Sequence, residues 1–108
     1  MTTAQCPWRL IDFRAHGIAH HGILVEASPA TGLPFPIART YWIHSWDRPN
    51  RRGGHAHRHI QQVFCCLHGG VEMSLQYGTD KATQIHLGDP HLGLWTAPLV
   101  WLDSMEPT

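Results

Sequence analysis

The stretch Arg51-Arg52-Gly53-Gly54-His55-Ala56-His57-Arg58-His59-Ile60-Gln61-Gln62-Val63-Phe64-Cys65-Cys66-Leu67-His68-Gly69 decides how this chain is read. A basic, glycine-rich turn opens it, and strict alternation follows. His55, His57, His59 and Gln61 share one parity, and Val63, Cys65 and Leu67 continue it. Alternate side chains of a strand lie on one face. As a strand, the run therefore carries imidazoles at one end and an apolar strip at the other. That is expected of a strand running from the mouth of a β-barrel into its core. Three groups that exchange protons near neutral pH then stand at the mouth. A solvated sheet edge gives the same row of imidazoles. The strand-turn-strand order around the run, and a second Gly/Pro-punctuated block later, favour the mouth.

Working outward, residues 37–46 read as a strand of β-branched and aromatic residues. Residues 27–36 hold three prolines and a glycine and read as a loop. Before them, residues 22–26 form a short strand. Residues 1–21 are an entry segment in which Trp8, Leu10, Ile11 and Phe13 make an edge strand and His16, His20 and His21 are loose. After Gly69-Gly70 come strands at 71–77, 82–87, 92–97 and 99–101, broken at 78–80, at 88–90 and at Pro98. No helix and no internal repeat is evident. Many short strands with frequent turn signals predict an all-β sandwich or barrel.

At 108 residues the chain is one domain. Eight basic and eight acidic side chains cancel, which gives no basis for a nucleic-acid or membrane-surface partner. Ten histidines make the charge rise steeply below about pH 6.5. Three cysteines without framework spacing argue for a reducing compartment, and cytoplasmic is the expectation. No apolar run reaches membrane-spanning length and no signal-peptide pattern is present.

As a string, residues 51–69 resemble the signature of the sugar 3,4-ketoisomerases, the small cupins of the WxcM-like or FdtA/QdtA type. The resemblance extends to Gly22-Ile23-Leu24-Val25-Glu26, to the 33–43 stretch, and to Gly93-Leu94-Trp95-Thr96-Ala97-Pro98-Leu99-Val100-Trp101. It covers about residues 20–102. It implies a single-domain jelly-roll barrel over 22–108, ending before the family's final strand or strands, and a homodimer. It also implies a thymidine-diphosphate 4-keto-6-deoxyhexose substrate whose ketone moves from C4 to C3 through an enediol, with no cofactor. By resemblance, His57 is the main acid/base and His55 its partner in proton transfer; Tyr41 reads as a phenol donor to the developing enolate or as an ordinary core aromatic. Arg39 and Arg52 are candidates for the diphosphate and His59 for phosphate contact. His21 and Leu102 occupy positions near the sugar where relatives carry Arg or Tyr and His or Arg. Trp95 and Trp101 read as core, or as a wall for the base.

Two other classes compete. One is a non-catalytic cupin that binds sugar nucleotides, suggested by His21, Leu102 and the short C-terminus. The other is a metal-dependent cupin. Metal-binding cupins use His-x-His, a nearby carboxylate and a distant His. Here the carboxylate position holds Gln61 or Gln62, and no His follows Trp101. Same-face strand residues stand about 6.5–7 Å apart, so one ion does not join His55, His57 and His59. No metal is expected.

Overall fold

The computed structural model describes residues 6–18 and 20–108; residues 1–5 and 19 of the expected entry segment lie outside the described residues. The described residues form eight strands: β1 (Trp8–Asp12), β2 (Ala15–Ile18), β3 (Gly22–Val25), β4 (Gln62–Cys65), β5 (Val71–Gln76), β6 (Thr83–Leu87), β7 (Leu92–Thr96) and β8 (Trp101–Pro107). They form a sheet β1-β7-β4, a hairpin β2-β3 and a sheet β6-β5-β8, with every pair antiparallel. A 3-10 turn at Pro29–Thr31 is the only helical element among the described residues.

The main core lies between the two three-stranded sheets. Met73 and Leu75 of β5, Leu87 of β6, Leu94 of β7, and Leu102 and Met105 of β8 meet there with Val100. Met73, Leu75, Leu87 and Leu94 are fully buried, each stabilising the fold by about 1.5–3 kcal/mol relative to exposure. The β5–β8 register shifts between Ser74 and Leu75, which leaves Asp103 as the extra residue of a bulge. The bulge lets Met105 and Leu102, of opposite parity, both face inward. The outer face of this sheet is polar, with Glu72 against His86 at 2.6 Å and Gln84 bonded to Ser74 at 2.9 Å.

The sheet β1-β7-β4 is covered on both faces. Leu94 and Phe64, paired in register, face the main core. On the opposite face, Ile11, Phe13 and Leu33 form a second cluster with Val25, Phe35, Val63 and Trp95. Phe13 lies so close to Gly93 that a Cβ there would stand 2.5 Å from its ring. The loop 26–36 is thus a lid that pins Leu33 and Phe35 onto the sheet.

Four expectations are corrected. The two sheets face each other without closing into a barrel. The long strand through residues 55–67 is regular only at β4, because the chain bends at Arg58 and His59. The bend breaks the parity: Phe64 and Cys66 pack on the main core, whereas Leu67 is 73% exposed and Cys65 is exposed. Residues 37–46 form no strand. Among the described residues, no neighbouring strand bonds their backbone groups, and Trp42 stands 75% exposed. The strand expected at 99–101 begins only at Trp101 and runs on to Pro107, because Leu99 takes a left-handed turn (φ 70°). Conversely, His16 lies in β2, a hairpin partner of β3 that the loose reading of the entry segment missed.

Candidate active site

The glycine-rich turn places the first two imidazoles. Gly53 has φ 126°, and a Cβ there would come within 3.0 Å of the Leu102 carbonyl oxygen. Only a residue without a side chain lets the segment lie this close to β8. Arg52 then pairs with Met105, and His55 with Leu102, as antiparallel bridges that add an irregular edge to the sheet β6-β5-β8. Gly54 N–H donates to the Leu102 carbonyl at 2.7 Å, and Leu102 N–H to the His55 carbonyl at 2.9 Å. Leu99 N–H donates to the His57 carbonyl at 2.7 Å.

Directly paired residues share a sheet face. Leu102 is 5% exposed and part of the core, so His55, itself exposed, sits on the inner side of the sheet edge. His57 is half-buried beside it. The two rings lie edge to face, with centroids 5.2 Å apart and planes at 77°. This is close enough for two proton carriers to serve neighbouring atoms of one small ligand.

The remaining candidates take different places. His59 sits on the bend, exposed, and does not extend the pair into a ladder. Tyr41 is tied to the other sheet: Gln62 Nε2 donates to its hydroxyl oxygen at 2.8 Å. Gln62 pairs with the buried Thr96 of β7 and so occupies the inner side of that sheet. Arg52 is held by its backbone to Met105, with its side chain exposed. Arg39 is exposed in the unpaired 37–46 segment. His21 stands at the turn of the β2-β3 hairpin, exposed. Among the described residues, no hydrogen bond or ring contact joins Tyr41, Arg39, Arg52 or His21 to the imidazole pair. Trp95 and Trp101 leave the site. Trp95 lies on the outer side of its sheet, donating to Gln61 Oε1 at 2.8 Å under the Arg9 guanidinium, and Trp101 shares the outer side of β8 with Gln76.

Among the described residues the two sheets do not close into the expected barrel mouth, and His55 is exposed. Two cavities lie elsewhere. One of about 490 Å³ is lined by Asp12, Arg14 and His91, and one of about 250 Å³ by Arg51, Glu72 and Asp103. Among the described residues, no three His, Cys, Asp or Glu side chains are grouped to hold a metal ion. Of the two amides at the position expected for a carboxylate, Gln62 bonds the Tyr41 hydroxyl and Gln61 accepts from Trp95.

This architecture has close counterparts, and residues 7–106 match the family described as FdtA, WxcM-like, C-terminal. The chain belongs to that WxcM-like family. A curated relative, the TDP-4-oxo-6-deoxy-alpha-D-glucose-3,4-oxoisomerase of Aneurinibacillus thermoaerophilus, is 36% identical over 93 residues, which cover 86% of this chain and 66% of the relative. The match thus spans slightly less than two thirds of that relative's length. The sugar 3,4-ketoisomerase QdtA of Thermoanaerobacterium thermosaccharolyticum, solved with TDP, is 35% identical with a TM-score of 0.86. The alignment covers 94% of this chain and 72% of QdtA. A histidine-to-asparagine variant of QdtA, solved with TDP-4-keto-6-deoxyglucose, superposes with a TM-score of 0.87 at 33% identity, covering 96% of this chain and 73% of that one.

Within the WxcM-like frame, the residue that sequence reasoning undervalued is Gln62. Its signal in the sequence is an amide at or beside the position where metal-binding cupins carry a carboxylate. Nothing in the sequence said which partner it would take.

Proposed function

We propose that the protein is a 3,4-ketoisomerase acting on a TDP-linked 4-keto-6-deoxyhexose. The observation that carries this is the edge-to-face pair of His55 and His57 on the inner sheet face of a WxcM-like chain. Kinship to an oxoisomerase and to a protein solved with its TDP-keto sugar supports the substrate class.

In this reading His57 removes the proton from C3. The C3–H electrons form the C3–C4 double bond, and the C4 ketone oxygen takes a proton from Tyr41 to give the enediol. The O3–H proton then leaves as the C3 ketone forms, and a proton is delivered to C4. His55 relays protons between the oxygens and C4. Hydrogen leaves and returns as a proton, so the step balances without an oxidant. Imidazole suits both halves because its unperturbed pKa, about 6.5, lies near working pH.

Arg39 and Arg52 serve the diphosphate through guanidinium–phosphate bonds. His59 adds a phosphate contact, and His21 and Leu102 lie near the sugar. We propose a cytoplasmic homodimer. The three free cysteines fit a reducing compartment, and no helix among the described residues is long and apolar enough to cross a membrane. The unpaired, apolar 37–46 segment favours association.

Proton NMR of TDP-4-keto-6-deoxyglucose incubated with the protein tests this reading; formation of the 3-keto isomer is expected, and an unchanged sugar rejects it. The unclosed sheets and the exposure of His55 favour one other reading, a sugar-nucleotide-binding protein without turnover. Calorimetric binding of TDP with no conversion of the sugar selects it.

A further inference from the structure

We propose that Gln62 is a positioning residue: its side-chain amide fixes where the Tyr41 hydroxyl stands and leaves the hydroxyl proton free for the substrate. The inference rests on the isomerase reading above, in which Tyr41 protonates the ketone oxygen.

The local backbone does not hold Tyr41. Residues 37–44 make no backbone hydrogen bond among the described residues, and Tyr41 is 62% exposed. A phenol on such a segment has many rotamers and many positions to choose from. Among the described residues, the Gln62–Tyr41 bond of 2.8 Å is the one hydrogen bond tying this segment to either sheet. Its other end is firm. Gln62 opens β4, pairs with Thr96 at 5% exposure, and precedes the core-packed Phe64 by one turn of the pleat.

The direction of the bond matters as much as its existence. An amide N–H donates and the phenol oxygen accepts, so the Tyr41 O–H is not consumed by its anchor. A carboxylate in the same place has only acceptors. It would draw the Tyr41 proton onto itself and compete with the substrate oxygen. A neutral donor at position 62 therefore does two things, and an apolar or anionic side chain of similar size fails at one or both.

The test uses tyrosine labelled with carbon-13 at Cζ in a Tyr77→Phe chain. Tyr41 and Tyr77 are the only tyrosines, so one resonance remains. Gln62→Leu and Gln62→Glu are compared with the parent. The Tyr41 resonance is expected to move in both. The rate constant kcat is expected to fall about tenfold, the worth of one ordinary hydrogen bond, with KM little changed. On acidification the Gln62→Glu chain regains turnover relative to the parent, because its protonated carboxyl can donate; Gln62→Leu does not. A Tyr41 resonance that stays put in both variants overturns the proposal, as does parental kcat in both. If the parent itself never converts the sugar, the isomerase reading falls, and the resonance still decides whether Gln62 anchors Tyr41.

Discussion

His57 is the residue on which turnover depends in this account, and its backbone is fixed by Leu99 while its ring meets His55. His57→Asn keeps a polar side chain and loses the proton carrier. It is expected to lower kcat at least about a hundredfold, the usual share of a general acid/base, with TDP binding kept. Rapid-quench assays and calorimetry check both halves, and undiminished turnover removes His57 from the mechanism. A second residue-scale prediction concerns Cys65. Although the residue as a whole is exposed, the surrounding chain partly desolvates its thiol and pushes it above the usual thiol value, and the neighbouring Cys66 adds to this. A raised value favours the protonated form in the folded state. The stability this contributes is present below the unfolded-state value and is lost as pH rises through the folded-state value. Only the thiolate alkylates. Iodoacetamide is thus expected to modify Cys65 more slowly in the folded chain than in urea at about pH 8, with the gap closing at higher pH. Equal rates across that range contradict it.

Two glycines separate what the elements do. Gly93 lies in β7 under Phe13, and an added Cβ would meet Phe13 and Val63 at 2.5 and 2.9 Å. Gly93→Ala overpacks the second cluster and is expected to cost about 1–3 kcal/mol in urea unfolding, with kcat unchanged. Gly53→Ala acts elsewhere. It forces a side chain into a left-handed conformation against the Leu102 and Asp103 carbonyls, and it is expected to cost about 1–3 kcal/mol and to lower kcat with it. If Gly53→Ala unfolds earlier yet turns over at the parental rate, the irregular edge does not position His55. These elements also show what the sequence made legible. Short strands at 71–77, 82–87 and 92–97 were readable because alternation and turn residues agree there, and the structure has β5, β6 and β7 in those places. The His-x-His run was readable as two neighbouring imidazoles, and the structure sets their rings edge to face. Its continuation was not, since a bend at Arg58 and His59 resets parity without a glycine or proline to announce it. Residues 37–46 have strong β-propensity, but propensity cannot supply a neighbouring strand to bond.

At the scale of the molecule, two sheets enclose a core without closing around it, and residues 37–46 leave Ile37, Tyr41, Trp42 and Ile43 exposed beside an unpaired backbone. Such an exposed apolar segment invites a second chain. Sedimentation at micromolar concentration is expected to give a dimer, and Trp42→Asp to shift it toward monomer; a parent that sediments only as monomer contradicts this. The proposed isomerase reading has one consequence that no binding protein shares: a proton from solvent is delivered to a sugar carbon. The direct measurement is incubation of TDP-4-keto-6-deoxyglucose with the protein in deuterated water, followed by NMR of the recovered sugar nucleotide. Deuterium at C4 of the 3-keto product is predicted; recovery of the sugar with neither deuterium nor a shifted ketone would contradict the account.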